Sequence, residues 1–376
     1  MKKKILCVMS DVGGGHRAAA DAVLEALKRK YKPSDYSFKI VDLYFIGSKF
    51  CHFSLQSCPF FLRNLPWIYN RFFDFNNLKL GWEIIYRVFI APFMMENVKE
   101  LILKEKPDII LSTYALCNRI TFDALEKLNL LDKIFTVCLV LDLFVVHRTW
   151  AEPRANVSFV TTKEARETVI KYGVPEEKII LTSFPINPAF EDPVDKEKVL
   201  KELGFSGNKF TVMIMGGGEG LGGVHSTAKI IYDHQLDVQV IVIAGRNQEL
   251  ALKLESLKEN AKNPWVIFGF TDRIAQLMSI ADVLITKPGP ATLMEALVKE
   301  LPVIAVGRMP RQEERNVEFV HEKGIGYVIK RPEEIITIMK RLISDNQELQ
   351  NIQQNIKREK KLTSAYEIAK RIMDHN

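Results

Sequence analysis

Twelve short apolar runs, most of them followed by a stretch of helical pattern, constrain this 376-residue chain more than any other feature. In the first half they fall at residues 3–9, 37–43, 108–113, 134–141, 156–162 and 178–183; in the second, at 210–215, 238–244, 264–268, 282–286, 302–306 and 326–330. Runs such as Ile134–Leu141 are apolar at almost every position, which suits strands buried on both faces of a parallel sheet. Helical patterns lie between them, as at Ala18–Lys30 and Lys163–Tyr172. The alternation predicts an α/β chain. Its length exceeds one usual hydrophobic core, and a polar, proline-bearing stretch from Pro185 to Pro193 separates the two halves. Two doubly wound, Rossmann-like domains, 1–193 and 194–355, are therefore expected, facing a cleft, with ligands at the carboxyl ends of the strands. A final helical stretch occupies 356–376.

Composition narrows the function classes. The balance of 52 basic against 46 acidic residues gives a net charge of +6, with no basic run longer than Lys2-Lys3-Lys4. Nucleic acid is not expected as a partner, while an anionic membrane surface is permitted. The apolar run Ile5–Met9 is too short for the core of a signal peptide, and no run is long enough to span a bilayer. The five cysteines are scattered and not at zinc-site spacing, as expected in a reducing cytoplasm.

Two glycine-rich turns stand at the ends of apolar runs: Ser10-Asp11-Val12-Gly13-Gly14-Gly15-His16 and Gly216-Gly217-Gly218-Glu219-Gly220. Each opens into a helical pattern, so backbone N–H groups and a helix N-terminus face whatever sits at the turn, an arrangement that suits phosphate or developing negative charge. A third signal is Thr286-Lys287-Pro288-Gly289-Pro290-Ala291-Thr292-Leu293-Met294-Glu295. Proline opening a helix loses no needed donor. Thr292 then sits in the first turn, where its hydroxyl and nearby N–H groups can hold phosphate. Glu295 lies a turn further on, placed to accept from two ribose hydroxyls, although a carboxylate there also complements the helix dipole.

These segments resemble the GT-B glycosyltransferases that include monogalactosyldiacylglycerol synthases, processive diacylglycerol glucosyltransferases and the peptidoglycan N-acetylglucosaminyltransferase. Ser10–Ala18 is similar to the glycolipid-synthase N-terminal signature, with Gly14 and Gly15 on the acceptor side, and Met215–Gly222 to the glycine loop of the galactolipid branch. Asp142, His147 and Trp150 match an Asp…His-x-x-Trp segment, Pro288–Ala296 the donor motif, and Gln312–Asn316 a Gln-Glu-x-x-Asn stretch. The resemblance implies that Phe270 and Thr271 hold uracil. It assigns diphosphate contacts to Gly217, Gly218, Glu219 and Thr292, with Gly289, Pro290 and Ala291 beside them in the donor motif. Glu295 matches the ribose carboxylate, Gln312 and Glu313 the sugar contacts, and His16 the general base. It also implies a last helix that returns to the N-terminal domain. Ser112-Thr113-Tyr114-Ala115 departs from the Ser-Thr-His-Pro of many relatives, which bears on acceptor contacts nearby.

The chemistry stands beside the resemblance. Displacing a nucleotide diphosphate needs an activated acceptor hydroxyl and a stabilised leaving group. With no paired-aspartate metal motif in place, N–H groups and helix dipoles take the second task. His16 at a helix N-terminus feels a positive potential, which lowers its pKa and keeps it neutral, as a base requires. The alternative is a structural histidine at a turn; Asp11 is the second candidate, either to take the proton or to orient His16. His147 and Trp150 read equally as sugar or acceptor contacts or as a packed strand-end pair.

Residues 44–98 are rich in aromatics, among them Trp67, Trp82, Tyr86 and Phe89, with Arg63, Arg71, Lys79 and Arg87 interleaved. Trp82, Ile85, Tyr86 and Phe89 share a helix face that suits either a bilayer surface or a core. The expectation is an inverting, metal-independent enzyme with no cofactor. It moves galactose or glucose from a UDP-sugar to 1,2-diacylglycerol, as a peripheral protein at the cytoplasmic face of the cell membrane. The alternatives are another lipid acceptor, a non-catalytic nucleotide-binding protein, and a dinucleotide oxidoreductase. The last rests on Gly218-x-Gly220-x-x-Gly223, weakened because the following strand ends in Gly245-Arg246 without an acidic residue for a ribose diol.

Overall fold

Strands that are apolar on both faces need cover on both, and the chain supplies helices between most of them. The computed structural model describes residues 2–11, 14–47, 65–218, 220, 222–307 and 311–375, leaving aside the side chains of Pro66, Tyr69 and Gln312. The chain forms two compact units, one of Met1–Pro188 with Pro310–Gln312 and Thr363–Asn376, the other of Ala189–Met309 with Glu313–Leu362.

In the first unit β1 (Lys3–Met9), β2 (Tyr36–Asp42), β3 (Ile109–Ser112), β4 (Phe135–Leu139), β5 (Val157–Val160) and β6 (Ile179–Leu181) lie parallel in the order β2-β1-β3-β4-β5-β6. Every residue of β3 and β4 is buried. The helices are α1 (Gly15–Lys30), α2 (Leu43–Ile46), α3 (Pro66–Asn77), α4 (Lys79–Ile85), α5 (Ala91–Glu105), α6 (Ala115–Lys127) and α7 (Lys163–Lys171). Side-chain caps set several starts: Asp42 accepts from the Tyr44 and Phe45 N–H groups, and Thr162 from that of Ala165 at 3.0 Å.

The second unit opens with α8 (Lys196–Leu203), capped by Asp195, and then alternates. Its elements are β7 (Thr211–Met215), α9 (Val224–Asp233), β8 (Gln239–Gly245), α10 (Gln248–Lys258), β9 (Trp265–Gly269), α11 (Ile274–Ile280), β10 (Val283–Thr286), α12 (Pro290–Val298), β11 (Val303–Ala305), α13 (Glu314–Glu322), β12 (Gly326–Val328), α14 (Glu334–Ser344) and α15 (Asn346–Glu359). The sheet order is β12-β11-β10-β7-β8-β9, all parallel. Counted within the unit, this is the 3-2-1-4-5-6 order of dinucleotide-binding folds, read from the β9 edge. Each of the twelve apolar runs overlaps one of the twelve strands among the described residues, with β2, β8 and β9 each reaching one residue past its run.

The units divide at other points than the sequence suggested. The first ends at Pro188, five residues before the expected 193, and Phe190 is already buried in the next segment. The return falls after Leu362 and not after 355, because Ile352 and Ile356 are core residues of the second unit and Lys360 pairs with Glu300 at 2.9 Å. The last helix, α16 (Ala365–Asp374), packs on α1 through Ala365, Ile368, Ala369 and Ile372. Thr363 ties the entry of this segment to Ile186, donating to its carbonyl at 2.6 Å and accepting from its N–H at 3.0 Å.

Candidate active site

A doubly wound sheet opens a crevice where neighbouring strands send their chains in opposite directions. In the first unit this point lies between β1 and β3, where Val8 pairs with Ser112. The loop after β1 delivers Gly14, in the left-handed conformation at φ 77°, then Gly15 and His16 in the first turn of α1. The loop after β3 delivers Thr113 and Tyr114. Their meeting fixes His16: Nδ1 donates to the Thr113 carbonyl at 2.8 Å, and Thr113 Oγ1 donates to the His16 carbonyl at 3.0 Å. A carbonyl only accepts, so the proton sits on Nδ1 and the imidazole lone pair on Nε2. The Tyr114 ring meets the imidazole edge-on, centroids 4.6 Å apart, and the Trp150 ring lies at 6.0 Å. Burial lowers the His16 pKa to about 4, partly opposed by the Thr113 bond. The direction matches the sequence expectation, but the main cause is desolvation and not the helix terminus.

Asp11 does not orient His16. Both its oxygens are taken by Arg17, at 2.5 and 2.6 Å, and the orienting group is the Thr113 backbone. The Asp142–Trp150 segment is also internal. Trp150, 2% exposed, donates its indole N–H to Asp142 at 2.7 Å, and the His147 N–H reaches the same oxygen at 3.4 Å. His147 is buried against the Phe73 ring at 4.7 Å, its Nδ1 takes the Thr149 N–H at 3.3 Å, and burial lowers its pKa to about 4. Of the two readings of this pair, the packed one describes the geometry, with Trp150 placed beside His16.

In the second unit the corresponding point lies between β7 and β10, where Met215 pairs with Thr286, so both motif loops leave the sheet at one level. The glycine loop after β7 is held close to its neighbours. A Cβ on Gly222 would stand 2.8 Å from that of Lys287, and one on Gly245 (φ +65°) would stand 2.3 Å from the Gly218 carbonyl oxygen. A side chain at Gly245 would push Gly217 and Gly218 away, and one at Gly222 would press on Lys287. Glu219 lies outside the described residues. Gly289 caps α12, and Pro290, Ala291 and Thr292 form its first turn, leaving first-turn N–H groups without intrahelical acceptors. Glu295 follows one turn on. It is partly buried and has no hydrogen-bond or ion-pair partner among the described residues, and burial alone raises its pKa to about 7.

Phe270 and Thr271 follow β9. Phe270 is exposed with the Arg246 guanidinium 4.5 Å over its ring, and Thr271 Oγ1 accepts from the Arg273 N–H at 3.2 Å. The Glu313 carboxylate is ion-paired with Lys287, and Asn316 donates to the Pro288 carbonyl at 3.1 Å. The Gln312 side chain lies outside the described residues. Sequence reasoning missed Thr113, Arg246 and Lys287. Lys287 alone left a trace, as a cation in the turn between a buried strand and a proline-opened helix.

The aromatic segment is sorted by one local irregularity. Tyr86–Ile90 forms a π-turn between α4 and α5, and its longer repeat rotates the residues beyond it. Trp82 and Tyr86, 6% and 3% exposed, therefore belong to the core with Ile90, while Phe89 turns outward. Tyr86 donates to Asp123 beneath the Arg119 guanidinium, which stands 4.2 Å over its ring and holds Glu83 at 2.6 Å. The membrane role expected of Trp82 and Tyr86 is thus corrected. The exposed apolar groups described in this segment are instead Phe45, Trp67 (67%), Phe72, Phe75, Leu78, Leu80 (71%), Ile84, Val88, Phe89 and Phe93, with Arg71, Lys79 and Arg87 among them. Phe50, Phe53, Phe60, Phe61 and Arg63 lie outside the described residues. No described helix is long and apolar enough to cross a membrane.

Comparison with known proteins agrees with this layout. Residues 16–186 match the family model of monogalactosyldiacylglycerol (MGDG) synthase, and residues 211–372 that of the glycosyltransferase family 28 C-terminal domain. The chain is 32% identical to a probable chloroplastic monogalactosyldiacylglycerol synthase of Glycine max, over 94% of this chain and 68% of that protein. It is 32% identical to monogalactosyldiacylglycerol synthase 1 of Arabidopsis thaliana, over 90% of this chain and 64% of the relative. Among solved structures it resembles MurG of Acinetobacter baumannii, with a TM-score of 0.61 at 13% identity over 99% of this chain and 100% of that one. It also resembles Anabaena Alr3699/HepE in complex with UDP, with a TM-score of 0.56 at 15% identity over 100% and 96% of the two chains.

Proposed function

This chain belongs to the monogalactosyldiacylglycerol synthase family of GT-B glycosyltransferases, and we propose that it transfers a hexose from a UDP-sugar to 1,2-diacylglycerol with inversion. The observation that carries the reading is the Glu295 carboxylate, one turn beyond the α12 N-terminus and without a partner among the described residues. A buried acid without a partner costs stability, and two vicinal ribose hydroxyls supply the donors it lacks. In this reading the N–H groups of the α12 first turn and of the glycine loop receive the diphosphate, with no resident metal or cofactor.

The acceptor hydroxyl gives its proton to His16 Nε2. Its oxygen bonds to the anomeric carbon as the bond to the diphosphate oxygen breaks, and the electron pair leaves with UDP. A neutral imidazole of fixed tautomer suits this role, and Tyr114 and Trp150 supply apolar walls beside it. The exposed aromatic face of α3–α5 brings the first unit to a bilayer, where diacylglycerol resides, at its cytoplasmic face. Rings enter the headgroup layer, and Arg71, Lys79 and Arg87 add about 1 kcal/mol each near anionic lipid. The test is product analysis with UDP-galactose and UDP-glucose against diacylglycerol in mixed micelles. A β-hexosyl diacylglycerol supports the proposal. Sugar transfer to neither donor–acceptor pair, with UDP bound, overturns the acceptor assignment.

A further inference from the structure

The Lys287–Glu313 ion pair lies inside the loops assigned above to the donor. Lys287 follows β10 directly, its carbonyl takes the Gly289 N–H at 2.8 Å, and its side-chain stem lies flat against Gly222 of the glycine loop. The side chain thus starts beside the glycine loop, in the turn that precedes α12, and its ammonium meets Glu313. Glu313 reaches the same point from the start of α13. One of its oxygens pairs with Lys287, and the other lies 3.9 Å from where a Cβ on Gly289, the α12 cap, would stand. Both side chains are mostly withdrawn from water, at 20% and 15% exposure. Nearby, Asn316 Oδ1 is buried without a partner among the described residues. A carboxylate is thus held on a lysine at a helix N-terminus, the place and the company an incoming phosphate would want.

We propose that this ion pair is an internal stand-in for the donor's diphosphate: on donor binding Lys287 passes from Glu313 to the diphosphate, and this exchange frees the carboxylate for the sugar contact that the family resemblance implies. The inference rests on the reading of this unit as a nucleoside-diphosphate-sugar site. Its consequence is a discrimination among ligands. UDP without a sugar takes the lysine and strands the carboxylate, whereas a UDP-sugar satisfies both partners of the broken pair.

The experiment is calorimetric titration of uridine, UDP and a UDP-hexose into wild type, Lys287→Met and Glu313→Gln, with thermal melts to verify folding. Lys287→Met should lose about 10- to 150-fold in UDP affinity, the worth of a charged hydrogen bond, and keep its uridine affinity. Glu313→Gln should bind UDP a few-fold more tightly than wild type, since its competitor is gone, while losing affinity for the UDP-hexose relative to UDP. Unchanged UDP affinity in folded Lys287→Met, or weaker UDP binding by Glu313→Gln, overturns the exchange while leaving the donor site in place. Wild type that binds neither uridine nor UDP overturns the donor-site reading itself. Should Lys287→Met fail to fold, the sign of the UDP change in Glu313→Gln decides alone.

Discussion

Glu295 makes stability and ligand affinity move in opposite directions, and Glu295→Gln exposes the trade. The folded protein holds this carboxyl at about 7, against an ordinary value of 4.5, through desolvation alone. Its pKa is raised on folding, so the folded state binds the extra proton between those two values. The group costs nothing below pH 4.5, costs progressively more as pH rises to 7, and carries its full penalty above that. The difference corresponds to about 3 kcal/mol, an upper figure because the side chain keeps some contact with water. Glutamine has nearly the same shape and no charge to desolvate. Urea unfolding at pH 8 should therefore show Glu295→Gln more stable than wild type by about 1–3 kcal/mol. The advantage should vanish near pH 4.5, where wild type carries a neutral acid too. The same variant should bind UDP about 10- to 150-fold more weakly, having lost a charged acceptor for the ribose. A variant no more stable than wild type at pH 8 would refute the reasoning, for it would mean that the carboxylate already has a partner.

His16→Ala should lower turnover by about 10²- to 10⁴-fold with UDP affinity unchanged; a few-fold loss would send the proton elsewhere. Because His16 sits near 4 and Glu295 near 7, donor affinity should fall as pH drops below 7 through protonation of Glu295. This limb should be missing in Glu295→Gln, and its survival there would assign it to another group. Serine at Trp67, Phe72 and Leu80 should abolish salt-resistant binding to anionic vesicles in co-sedimentation, whereas Trp82→Ala should act through the core, costing about 3–5 kcal/mol of stability. Equal sedimentation of the triple variant and wild type would move the membrane contact off this face. Gly245→Ala places a methyl 2.3 Å from the Gly218 oxygen at φ +65° and should weaken UDP binding with a lowered melting temperature; unchanged affinity would mean that the glycine loop does not touch the diphosphate.

The strands were legible because burial on both faces writes itself as consecutive apolar residues, as in Phe135–Leu139 and Val283–Thr286. Glu295 and the α12 first turn could be located because proline and glycine mark a helix start locally. The features that stayed hidden are non-local or made of backbone. The Thr113 carbonyl that fixes the His16 tautomer is an atom every residue carries, and only the adjacency of β1 and β3 brings it there. The Lys287–Glu313 pair joins residues on separate βα units. Trp82, Tyr86 and Phe89 follow an α-helical repeat in the sequence, but the π-turn breaks that repeat and sends Phe89 to the opposite side. The limit at 355 moves to Leu362 because Ile356 and Lys360, just beyond it, still serve the second unit, and the helical pattern there does not announce which core it joins.

The return of α16 to α1 sets an order of events during synthesis. The second unit is continuous in the chain apart from a short loop, and all of it emerges before Thr363. The first unit has by then made its whole sheet but lacks the helix that covers α1 through Ala365, Ile368, Ala369 and Ile372. Until residues 365–374 leave the ribosome, that side of α1 is uncovered apolar surface, and the first unit stays open while the second can already close its own core. Cleavage or a stop codon after Leu362 would leave the second unit whole and the unit that bears His16 open, so the first unit is vulnerable at a point in the chain far beyond its own sheet.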